Sequence, residues 1–77
     1  MDKKELLQCL RKKEIPWSSF FVDGDIKDDA YGIVYDNSAF HVVYCERDEL
    51  LFLKKFKNEE DAYDFLYNEL MRAFRKK

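Results

Sequence analysis

A chain of 77 residues, 39% charged and 47% hydrophobic, makes one domain with a small core inside a charged shell; seven Phe, five Tyr and one Trp put large apolar area into few positions. No apolar run approaches the roughly 20 residues of a membrane span, and the opening "MDKKELLQCLRKKE" has no apolar h-region or small-residue cleavage site, so a cytoplasmic location is expected. The net charge of −2 hides a partition: residues 15–64 hold twelve Asp/Glu against five Lys/Arg, and basic residues are in excess before and after them.

Residues 2–14 place Leu6, Leu7 and Leu10 at helical spacing, with Asp2 and Glu5 early and Arg11, Lys12 and Lys13 late. That order of charge suits the helix macrodipole and predicts a first helix with one apolar stripe. Pro16 is expected to stop it, because the residue before a proline is pushed out of the α region. Residues 16–29, "PWSSFFVDGDIKDD", read as a connector, hydrophobic at its start and acidic at its end, with Trp17, Phe20 and Phe21 pinning it to the core. Three strand-like runs follow, at 30–36, 39–46 and 49–56, each rich in β-branched or aromatic residues and separated by the short turns "DNS" and "ERDE". Connections this short make neighbours antiparallel. Along the middle run Phe40, Val42 and Tyr44 face one way and His41, Val43 and Cys45 the other, and neither face is polar, which predicts cover on both sides of the sheet. Asn58 then caps a last helix that begins Glu59, Glu60, Asp61 and ends in Arg72, Arg75, Lys76 and Lys77. Its inward stripe is Ala62, Phe65, Leu66, Leu70 and Ala73 or Phe74, flanked by Tyr63 and Tyr67. The predicted fold class is α+β, in the order α-β-β-β-α: a three-stranded antiparallel meander packed with an N-terminal and a C-terminal helix over the single domain 1–77.

Chemistry finds little purchase in this pattern. Cys45 and His41, a nucleophile and the only histidine, share a strand face but stand about 13 Å apart along it, beyond hydrogen-bond reach. Cys9 and Cys45 lack C-x-x-C spacing and read as free thiols. The stretch "DGDIKDD" offers hard oxygens but lacks the alternating ligands and distant Glu of a calcium loop, and two glycines do not make a phosphate cradle. No catalytic residue, metal site or cofactor is expected, and the chain reads as a binding protein rather than an enzyme. The element order is also that of double-stranded RNA-binding domains. Such domains grip phosphates with bases at the start of the second helix, where this chain has Glu59, Glu60 and Asp61, so nucleic acid is not the expected partner.

From Ile15 onward the chain resembles a family of small bacterial immunity proteins, which neutralise the toxin domain of polymorphic, contact-dependent growth inhibition systems. The resemblance lies in "IPWSSFFVDGDIKDDAYGIVYD", "FHVVYCERDE" and "FKNEEDAYDFLYNEL", about four-fifths of the chain, and rests mostly on fold-making patterns. Where the family pattern has Gly after Glu-Arg, this chain has Asp48, a residue that tolerates a positive φ better than most. The resemblance implies a protein that binds and blocks a cognate toxin domain. Toxins of such systems are often nucleases with cationic grooves, and an acidic surface is a physical match to one.

On this reading the contacts are Asp23, Asp25, Asp28 and Asp29 in the loop and Glu46, Asp48 and Glu49 at the second hairpin. Exposed aromatics among Trp17, Phe21, Tyr31 and Tyr44 would anchor the centre. The protein is expected to be a monomer or weak homodimer without membrane association. The alternative is a self-associating structural or regulatory domain. Strand 49–56 is then the candidate edge, although Lys54 and Lys55 look like edge protection.

Overall fold

A computed structural model describes residues 1–74, and Arg75, Lys76 and Lys77 of the expected helix end lie outside them. The order is α1 (Lys3–Lys12), a 3-10 turn (Trp17–Ser19), β1 (Phe20–Phe21), β2 (Ala30–Asp36), β3 (Ala39–Glu46), β4 (Glu49–Phe56) and α2 (Glu59–Phe74). The α+β class and the antiparallel β2-β3-β4 meander stand as read from the sequence. The connector differs. Phe20 and Phe21 pair in parallel with Tyr31 and Gly32, which adds a fourth strand and makes the sheet mixed. Two residues carry no readable period, so only the tertiary pairing reveals this strand.

Each helix end has a local cause. Asp2 accepts from the Glu5 N–H at 2.8 Å while the Glu5 carboxylate accepts from the Asp2 N–H at 3.4 Å, a capping box. At the other end Glu14 takes φ 58°, Ile15 N–H donates to Leu10 at 3.0 Å and Glu14 N–H to Arg11 at 3.0 Å. This is a Schellman motif, closed by burial of Ile15 and Leu10. Helix α1 therefore ends at Lys12 by its own hydrogen bonding, before Pro16 acts. Asn58 Oδ1 caps α2 by accepting from Glu60 at 2.8 Å and Asp61 at 3.3 Å.

Both two-residue hairpin loops are left-handed at both central positions. Asn37 and Ser38 have φ 51° and 61°, and Arg47 and Asp48 have φ 51° and 64°. That is the type I′ geometry, whose twist matches that of the flanking strands. Asp48 thus fills a position that glycine would take without strain.

The main core lies between the helices and one sheet face: Leu6, Leu10, Ile15, Phe20, Ile33, Val42, Ala62, Tyr63, Leu66, Leu70 and Met71. Along α2 the expected stripe stands, with Phe74 rather than Ala73 packed at its end, and it is widened by Tyr63 and Met71, which are also buried. A smaller cluster of Phe21, Ala30, Val43 and Cys45 lies on the other face, as the two apolar faces of β3 require. Phe21 covers Gly32 so closely that a Cβ there would overlap its ring, which explains the glycine. No helix among the described residues is long and apolar enough to cross a membrane.

Candidate binding surface

The loop between β1 and β2 and the turn between β3 and β4 are far apart in sequence but meet in the fold. Ala30 pairs with Cys45, so the start of β2 lies beside the end of β3. From just before that point Asp28 reaches across. Its Oδ1 accepts from the Asp48 N–H at 3.0 Å and from the Cys45 thiol at 3.6 Å. One carboxylate therefore latches the loop to the hairpin turn. Burial, then the hydrogen bond to Asp28 and the charges of Asp28 and Asp48, push the Cys45 thiol up. A thiol held neutral, buried and in contact with a carboxylate is a structural donor, not an activated nucleophile.

The latch gathers Asp28, Asp29, Glu46, Asp48 and Glu49 at one end of the sheet, with Arg47 the single cation of the turn. All are exposed, and among the described residues no ion pair involves Asp29, Glu46, Asp48 or Glu49. Beside them Tyr31 and Tyr44 pair across β2 and β3 with ring centroids 4.7 Å apart, both half-buried. Burial and then the charges of Asp29 and Glu46 push Tyr44 up.

Trp17 also belongs to this end, because the 3-10 turn leads into β1 where it meets Tyr31. Its side chain is 63% exposed. The Lys27 ammonium sits 4.4 Å from its ring centroid, donates to the carbonyls of Trp17 and Phe20 at 3.0 and 3.2 Å, and pairs with Asp25 at 3.6 Å. Lys27 therefore holds the loop against the 3-10 turn and leaves Trp17 presented outward.

Not every expected contact gathers here. Asp23 pairs with Lys3 near the far end of β2, in an open cleft of about 430 Å³ that Glu59 and Tyr63 also line. Asp25 is partly neutralised by Lys27. Phe21 is buried in the smaller cluster and is no exposed anchor; strand pairing with Gly32 takes it inward. The acidic middle of the sequence is thus divided, with one part bound to the chain's own lysines and another left free.

His41 and the two cysteines lie in separate settings. The His41 ring meets Phe52 edge-on at 5.1 Å, and its Nε2 lies 3.1 Å from the Asp36 carbonyl. Cys9 and Cys45 are free thiols. Among the described residues no three His, Cys, Asp or Glu side chains come close enough together to hold a metal. The sequence missed Lys27, a lone lysine inside an acidic loop. Its position next to Asp28 and ten residues from an aromatic was the available signal.

Against known proteins, no family model, no curated protein and no solved structure matches the chain.

Proposed function

We propose that the protein neutralises a toxin domain by binding it through the acidic end of the sheet, as an immunity protein does. The observation that carries this reading is the Asp28 latch. It spends one carboxylate on internal hydrogen bonds and leaves Asp29, Glu46, Asp48 and Glu49 exposed together without cationic partners among the described residues. Fixed like charges on a loop and a type I′ turn lose little conformational freedom on binding, and they steer a basic partner toward them. Tyr31, Tyr44 and the exposed Trp17 add apolar area beside the charge, in the arrangement of an interface centre and rim. The sequence patterns shared with immunity proteins support the same reading.

The test is protection and binding. Co-expression with a toxin domain encoded beside the chain in its genome should restore growth of the host. The triple variant Asp29→Asn, Glu46→Gln and Asp48→Asn should slow association about tenfold or more at low salt and flatten its salt dependence. Unchanged association kinetics would sink the electrostatic part. Absence of both binding and protection with the full chain would sink the whole reading.

A further inference from the structure

Strand β4 is the outer strand of the sheet, and it is exposed along nearly its whole length. Leu51, Phe52 and Leu53 are 51%, 58% and 42% exposed in succession. Three large apolar side chains in a row on an unpaired edge are unusual for a monomer, because the same edge also presents free backbone donors and acceptors. Helix α2 reaches only the end of β4, where the Phe56 and Phe65 ring centroids are 5.6 Å apart, and leaves the run 51–53 exposed. Val42 and Phe40 on the neighbouring strand pack against the main core, whereas Leu51 lies beyond it.

We infer that β4 pairs antiparallel with β4 of a second copy of this chain. The distribution of charge along the strand selects that occupant. Glu49 stands at its start and Lys54 and Lys55 near its end, with the apolar run between them. Parallel pairing of two copies would set lysine against lysine. A two-fold antiparallel arrangement sets the acidic start of each strand beside the basic end of the other. The lysines then exclude the wrong alignment and favour the right one.

The β-bulge narrows the register further. Tyr44 pairs with Leu51 and Val43 with Phe52, but Val42 pairs with Lys54, so Leu53 is the extra residue and the alternation of faces reverses across it. Glu49, Leu51, Lys54 and Phe56 therefore share the helix-covered face, and Leu50, Phe52 and Lys55 the other. A symmetric register that keeps these faces continuous sets Leu50 opposite Lys55, Leu51 opposite Lys54 and Glu49 opposite Phe56. Phe52 and Leu53 of the two copies then meet at the axis. Glu49 lies diagonally beside Lys54 of the second copy, roughly 7–8 Å between Cα atoms, within reach of both side chains. Among the described residues neither Glu49 nor Lys54 has an ion-pair partner in its own chain. The Lys54 ammonium lies 5.5 and 5.6 Å from the Phe56 and Phe65 ring centroids, a weak exposed contact that a carboxylate can replace. One strand pair is a small interface, so the dimer is weak and reversible.

This inference does not rest on the toxin-binding reading, and its test needs only the purified full chain. Sedimentation equilibrium from micromolar to millimolar concentration should show a reversible monomer–dimer equilibrium. Glu49→Lys and Lys54→Glu should each weaken it about tenfold, and the double variant, with the charges exchanged, should recover most of the loss. Phe52→Ser should weaken it more than either charge variant, with circular dichroism unchanged because the side chain is exposed. A chain that stays monomeric throughout overturns the inference. So does a dimer indifferent to all three substitutions, or a monomer whose edge binds another protein's strand.

Discussion

Tyr63 shows how a residue's setting outweighs its type. Its position on α2 reads as flanking, yet the side chain is buried in the main core. Burial first, then the charge of Glu59 and a hydrogen bond to it, push its hydroxyl from 10.0 up to about 12. The folded state therefore holds a proton that the unfolded chain releases near pH 10. Between about pH 10 and 12 the unfolded state binds fewer protons than the native one, so stability is complete below that window and falls as pH rises through it. The urea midpoint should drop over this range, and Tyr63→Phe should make the drop shallower while leaving neutral-pH circular dichroism unchanged. An equal drop in the variant would assign the alkaline loss to other groups. At the same scale Glu14 and Asp48 occupy left-handed positions that glycine favours; Asp48 was expected there from the hairpin pattern, whereas Glu14 becomes legible only with the helix end around it.

Among elements, the least regular one organises the surface. Helices and long strands announce themselves by period and caps. Asp2, Glu5 and Asn58 act where the sequence placed them. The loop 22–29 has no period, and its conformation depends on contacts distant in sequence: Asp23 to Lys3, Lys27 to Trp17 and Asp28 to Asp48. Asp28→Ala removes the acceptor for the Asp48 N–H and the Cys45 thiol together. It should cost about 1 kcal/mol in urea unfolding, below the usual range for a charged hydrogen bond because Asp28 is exposed. Exchange of the Asp48 amide hydrogen should quicken by more than that global loss explains. Unaltered exchange at Asp48 would mean that the loop and turn are not joined in solution.

For the whole molecule, two unequal cores share one sheet. The larger is built by elements whose stripes were visible in the sequence. The smaller depends on Phe21, whose ring fills the space above Gly32 and lies with Ala30, Val43 and Cys45. Truncating a fully buried Phe costs about 3–5 kcal/mol, a large share of the stability of a domain this size. Phe21→Ala should leave the protein largely unfolded at 37 °C by circular dichroism. Phe52→Ala, on the exposed part of the same face, should change stability little. Equal effects would mean that the smaller cluster contributes nothing to the fold.

The helices, the antiparallel meander, the turns and the two-sided character of β3 were legible in the sequence. They follow from short-range periods, caps and loop lengths, which act between residues near one another in the chain. The parallel β1 strand, the outward presentation of Trp17 and the burial of Tyr63 and Met71 beside the α2 stripe were decided by long-range packing. So was the division of the acidic residues: Asp23 and Asp25 beside lysines, Asp28 in the latch, and Asp29, Glu46, Asp48 and Glu49 left free. A count of charges gives their sum, but Coulomb interactions depend on separation, and separation between distant residues exists only once the chain is folded.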